Sequence, residues 1–97
     1  MIYDFHPAAQ LELNNTVSYY DNINPDLGDT FLDEFERTLE RIQQFPQAWS
    51  LLSANTRSCR MGRFPYSIIY QIQAEEKLLI IALMHWQRKP NYWNDRI

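Results

Sequence analysis

Two apolar rhythms, one after the other, constrain this chain more than any other feature in it. Between residues 9 and 42 the apolar side chains recur every three or four positions. Ala9, Leu13, Val17 and Tyr20 make one stripe, and Phe31, Phe35, Leu39 and Ile42 a second. Each stripe is one face of an amphipathic helix. From Phe64 onward the period drops to two: Phe64, Tyr66, Ile68, Tyr70 and Ile72 alternate with Pro65, Ser67, Ile69 and Gln71. That pattern predicts a strand with one buried face, Ile69 being the exception on the other side. Leu78 to Met84 is then apolar at all seven positions, as in a central strand covered on both faces.

The breakers between these segments set the order of elements. Ile2-Tyr3-Asp4-Phe5-His6 reads as a short strand, and Pro7 suits the first turn of a helix while holding His6 extended. Asn24 and Pro25 form a cap and first residue for a second helix, which Phe45-Pro46 ends. Asp33 and Arg37 stand four apart, an acid-then-base pair on its outer face. Arg57 to Met61 is long enough for an edge strand stopping at Gly62, and Ala74-Glu75-Glu76-Lys77 is polar enough for a hairpin connection. Asn91 to Ile97 is left as a short tail. The expected fold is α+β in the order β-α-α-β-β-β, a helical hairpin packed on a mostly antiparallel sheet, with residues 1–97 as one domain.

Composition excludes other classes. A chain of 97 residues with 14% aromatics, 2 Gly and 5 Pro is too rich in core-forming side chains for disorder. No apolar run approaches the roughly 20 residues of a membrane helix. Met1-Ile2-Tyr3-Asp4 has no basic leader, and the lone Cys59 has no partner for a disulfide. A cytoplasmic location with no membrane association is expected. Charge is divided: residues 1–48 carry nine acids against two bases, a balance of −7, and residues 49–97 seven bases against three acids, +4. Either these are two solvated faces, or the C-terminal half offers a cationic surface to phosphates or an acidic partner. The net charge of −3 argues against a general duplex binder.

For chemistry, Cys59, His6 and His85 have no ligand-like spacing, so neither a metal site nor a cofactor is expected. Gly28 and Gly62 stand alone, which leaves no phosphate loop. The group with chemical content is Arg60, Arg63, His85, Arg88 and Tyr92. If the alternating and the apolar strands pair as a hairpin, these residues meet at one rim of the sheet. Guanidinium, imidazole and phenol there could bind a phosphodiester and move protons around it, as RNA cleavage by its own 2′-OH requires. The alternative is a structural histidine among solvated arginines. Trp49, Trp86 and Trp93 read as core or interface residues.

In this order the segments resemble toxins of the RelE/ParE superfamily, the toxic halves of type II toxin–antitoxin modules. The resemblance runs from Tyr3 to Arg96. It is carried by Ala9, Leu13 and Tyr19-Tyr20, by Leu27-Gly28 and Phe31-Leu32, and by Ile42-Gln43-Gln44-Phe45-Pro46 with Trp49. Arg60-Met61-Gly62-Arg63-Phe64-Pro65-Tyr66-Ser67-Ile68-Ile69-Tyr70 and His85, Arg88, Pro90, Tyr92 and Trp93 complete it. The resemblance implies growth inhibition, plasmid stabilisation and an antitoxin partner that wraps the toxin. ParE-like members act on DNA gyrase; RelE-like members are metal-independent endoribonucleases that cut mRNA on the ribosome. An inactive interaction module of the same fold is the third reading. In the nuclease case the resemblance makes Arg63, His85, Arg88 and Tyr92 the catalytic residues. Arg57, Arg60, Arg63 and Arg88 are the expected partner- or phosphate-binding residues. The Leu-Gly link, the Phe-Pro-Tyr strand and the scarcity of lysine lie nearer the ParE side. An acidic, amphipathic antitoxin segment across the basic half of the sheet is expected from the charge division.

Overall fold

The computed structural model describes residues 1–74 and 76–97. Strand β1 (Ile2–Phe5) ends where His6 stays extended and its Nδ1 accepts the Ala8 N–H at 3.1 Å. Pro7, with no N–H to leave unpaired, opens helix α1 (Pro7–Ile23). Helix α2 (Leu27–Gln44) starts later than Asn24-Pro25 predicts, with Asp26 as its cap. Asn24 is instead the C-cap of α1; its Oδ1 accepts the Asp26 N–H and its carbonyl the Leu27 N–H, so it serves the turn. The predicted Asp33–Arg37 pair also gives way. Arg37 donates to Glu34 at 2.6 Å, because Glu34 is 8% exposed and needs a counter-charge more than a solvated Asp33 does.

Strands β2 (Ser50–Ser53), β3 (Thr56–Arg60), β4 (Tyr66–Gln73) and β5 (Lys77–His85) complete a five-stranded sheet in the order β1-β5-β4-β3-β2. β1 runs parallel to β5, and the remaining neighbours are antiparallel. The strand expected at the edge, β3, is interior; β2 takes the edge. Its four exposed residues, Ser-Leu-Leu-Ser, are too few and too evenly exposed to show a period. Of the predicted 74–77 connection, Ala74 and Glu76 form a turn, Lys77 begins β5, and Glu75 lies outside the described residues.

Both helices cover one face of the sheet. Ala9 and Leu13 of α1 and Phe31, Phe35, Leu39 and Ile42 of α2 pack on Cys59, Ile68, Tyr70, Leu78, Ile80 and Leu83. Phe31 is fully buried, stacked on Tyr20 (5.4 Å between centroids) and edge-on to Phe64 and Tyr66. This aromatic group clamps the hairpin to the start of β4. In β5 the register slips by one: Ile69 pairs with Ala82 and Tyr70 with Ile80, leaving Ile81 as a bulge. The bulge reverses the alternation, so Leu83 packs toward the helices while Ile81 and Ala82 pack on the other face with Ile69.

That second face is covered by what looked like a tail. Trp93, 2% exposed, lies on Ile69, Ile81 and Ala82, flanked by Leu79, Met84 and Tyr92, and a 3-10 turn at Asn94–Arg96 follows it. Its indole N–H finds no acceptor among the described residues. Apolar burial alone holds the ring there, against the cost of an unpaired donor.

Tyr70, 0% exposed, donates its O–H to the Pro46 carbonyl at 2.6 Å, and burial pushes its phenol up to about 12. The folded chain thus keeps a proton that the unfolded chain releases near pH 10. Stability is full below pH 10 and falls as pH rises toward 12. Chemical denaturation at pH 8 and pH 11 should show this loss. Tyr70→Phe should cost about 1 kcal/mol at pH 8, for the orphaned Pro46 carbonyl, and shrink the alkaline drop. Phe31→Ala should cost about 3–5 kcal/mol.

Candidate functional site

β4 and β5 meet at the rim as expected: Tyr66 pairs with His85, and the Trp86 N–H donates to the Pro65 carbonyl at 2.9 Å. The candidate residues, however, do not gather in one place. His85 and Arg88 line an open cleft of about 230 Å³, with Glu12, Asn15 and Thr16 of α1, Tyr66 and Leu83. The His85 ring stands edge-on to Tyr66 at 4.9 Å, and its Nδ1 accepts the Gln87 N–H at 3.0 Å. A neutral ring so bonded carries its proton at Nε2.

Arg60 lies on the opposite face. It pairs with Ser67, which alternates with the helix-facing Ile68. Its guanidinium sits 4.1 Å over the ring of Trp86, whose Nε1–H donates to Ser67 Oγ at 3.1 Å. Arg57 is engaged elsewhere, donating from Nη1 to the carbonyls of Gln47 and Trp49, so it holds the connection between α2 and β2. Arg63 is exposed at the centre of a three-residue turn closed by Phe64 N–H to the Gly62 carbonyl, with φ at 67°. That is the strained form of such a turn for a residue with a Cβ.

Tyr92 belongs to a network that sequence reasoning missed. Glu12 Oε2 accepts its O–H at 2.7 Å, and Glu12 Oε1 accepts both Arg96 Nη1 at 2.8 Å and the Leu83 N–H at 3.1 Å. Arg96 also donates to the Ile81 carbonyl at 3.0 Å, and Arg88 covers the Tyr92 ring at 3.8 Å. Burial first, then the bond to Glu12, holds the Tyr92 phenol far above its ordinary range, while the same carboxylate raises Arg96. Tyr92 is therefore a neutral phenol with its proton engaged, poorly suited to act as a base. The signal for Glu12 was present: it stands beside Leu13, on the flank of the inward stripe, where a carboxylate is out of place. Burial likewise raises the Cys59 thiol, which is 1% exposed and makes a poor nucleophile there.

Among the described residues no carboxylate pairs with Arg60, Arg63, Arg88 or Lys89. No group of His, Cys, Asp and Glu is placed to hold a metal, and no described helix is long and apolar enough to cross a membrane. The helical hairpin on one face of this sheet is shared with a solved structure described as the chromosomal ParDE toxin–antitoxin system from P. aeruginosa. The match has a TM-score of 0.74 at 16% identity, over 88% of this chain and 95% of that one. At that identity the likeness is one of fold. The family model described as ParE toxin of type II toxin-antitoxin system, parDE, matches residues 3–90, and the chain belongs to that family. No curated protein matches it.

Glu12→Gln should leave Arg96 without its counter-charge in a site where both side chains are under one-fifth exposed, at a cost of about 3 kcal/mol. Urea denaturation should show this, with a red-shifted tryptophan emission as Trp93 loses its cover. A cost below about 0.5 kcal/mol would make the pair an ordinary surface contact.

Proposed function

We propose that this chain is the growth-inhibiting toxin of a type II toxin–antitoxin module, acts in the cytoplasm on DNA gyrase, and is neutralised by a cognate antitoxin. The observation that carries this reading is the ParE family match over residues 3–90. The geometry supports it by what the cleft does not gather. Only His85 and Arg88 of the candidate nuclease set line it; Tyr92 is committed to Glu12, and Arg63 lies on its own turn. A metal-independent cut needs a base, an acid and cations around one phosphate. Arg60, Arg63 and Arg88, which have no carboxylate partner among the described residues, are then what the toxin presents to its partners, and an antitoxin segment that masks them would be acidic.

The ribosome-dependent nuclease is the second reading, favoured by one observation: His85 and Arg88 do share a cleft with the Tyr66 ring. Two assays separate the readings. The purified chain should inhibit supercoiling by gyrase, His85→Ala should retain that inhibition, and template RNA in a cell-free translation mapped by primer extension should stay intact. Ribosome-dependent cuts that vanish in Arg63→Ala would overturn the gyrase reading in favour of the nuclease. Growth unaffected by expression without antitoxin would leave an interaction module.

A further inference from the structure

We infer that the open-face rim around Arg60 and Trp86 is a binding platform for single-stranded nucleic acid. Four observations converge on it. Trp86 is 42% exposed, unlike Trp93, which is buried in the core of that face. Its ring is nonetheless fixed, by the Nε1–H bond to Ser67 and by Arg60 lying 4.1 Å over it. An exposed aromatic ring held in one orientation is ready to stack, with little rotamer freedom left to lose on binding. On the segments that flank it, Arg60, Arg63 and Lys89, with Arg88 at the edge of the adjoining cleft, have no carboxylate partner among the described residues. The Tyr66–His85 pair and the Trp86–Pro65 bond bring the 60–63 and 86–89 segments to the same end of the sheet. Lastly, the backbone carries strain there: Arg63 has φ at 67° in a turn that Gly would form freely. The turn thrusts a guanidinium into solvent at the platform's border.

Planar stacking surfaces and guanidinium forks match bases and phosphates respectively. The base must be unpaired, because the faces of a base inside a duplex are covered by its neighbours. One face of the indole is taken by the Arg60 guanidinium; an acidic peptide would satisfy the cations but leave the exposed remainder of the ring without a stacking partner. The inference stands on this geometry and does not depend on gyrase being the target.

The probe is a fluorescein-labelled oligo-dT of twelve nucleotides, followed by fluorescence anisotropy with the full chain between 50 and 300 mM salt. Binding is expected with a log–log salt slope of about −3, as for four neutralised phosphates on a single strand. Trp86→Ala should weaken it on the order of tenfold, and Trp86→Phe, which keeps a stacking ring, should restore most of the loss. Arg63→Gly should weaken binding while holding or raising the denaturation midpoint, since it relieves the turn; a merely structural Arg63 would not separate the two. Thermal unfolding followed by circular dichroism confirms that each variant is folded. No binding at 50 mM salt, binding that Trp86→Ala leaves unchanged, or equal affinity for a duplex of the same length would overturn the inference. So would binding of poly-glutamate without binding of oligo-dT, which would assign the rim to acidic proteins alone. Oligo-dT binding by a chain that arrests no growth would keep the platform and remove the toxin reading.

Discussion

The structure depends on one carboxylate placed where a strand runs out of neighbours. β1 is four residues long and its pairing with β5 stops at Ile80. β5 continues to His85, and the bulge at Ile81 disturbs the ladder just beyond that point. The Leu83 N–H and the Ile81 carbonyl would otherwise be buried without partners, at a cost of about 1–3 kcal/mol each. Glu12 accepts the first and Arg96 donates to the second, and the two side chains bind each other. One ion pair therefore stands in for the missing end of β1. It also ties α1 to β5 and the C-terminal segment to both, which is how Trp93 comes to cover the second face of the sheet. The family model stops at residue 90, so half of this arrangement lies beyond the matched region.

The same bulge decides which chemistry the rim can gather. Were the same sequence to alternate from Ile80 with no bulge, Ala82 and Met84 would face the helices and His85 the open side, because each one-residue shift exchanges the faces of a strand. With it, His85 turns into the cleft beside α1 while Arg60 and Trp86 remain across the sheet. An imidazole on one face and a stacked guanidinium on the other cannot work on the same phosphate. The rim is thus two surfaces that share an edge, a cleft with mixed polar lining and a cationic aromatic platform. Tyr92, which chain order places with His85 and Arg88, is drawn under Arg88 by its bond to Glu12.

The elements legible in the sequence were those whose periodicity ran for two turns or more, together with the short strands β1 and β3, which their breakers bound. Both helices, the alternating strand β4 and the doubly covered β5 appear where their apolar spacing puts them, and Pro7 and Phe45-Pro46 mark real boundaries. What escaped was short or non-local. β2 has four residues and no alternation, so a sheet of five strands read as one of four. The Asn24–Asp26 turn moved a helix start because a side chain can serve either a cap or an Asx turn, and tertiary placement chooses. The docking of residues 91–97 depends on Glu12, some 80 positions away, a pairing that no local pattern encodes. Rim membership was legible from hairpin pairing; the face each side chain takes was not, because it turns on a bulge.

Net charge misleads for a related reason. An overall balance of −3 speaks against binding phosphates only if a ligand feels the molecule as a whole. The acids of residues 1–48 lie largely on the exposed side of the helical layer: Asp29, Asp33, Glu36 and Glu40 recur at steps of four, three and four along α2. The cations without a carboxylate partner among the described residues lie at one end of the sheet, in a molecule measuring 39 × 27 × 21 Å. At physiological ionic strength exposed charges are largely screened beyond about 8 Å. A ligand on the Arg60–Trp86 platform therefore meets a local field set by Arg60, Arg63, Arg88 and Lys89, while the acidic helix layer acts on whatever approaches from the other side. Segregation of this kind lets an acidic protein carry a cationic surface. It also has an energetic corollary: like charges gathered at one rim repel, and the left-handed turn at Arg63 adds strain to the same place. Both terms oppose folding, and a ligand that brings negative charge to the rim relieves the first. Binding there should consequently stabilise the fold more at low salt than at high, which ties the platform's function to the stability of the chain that carries it.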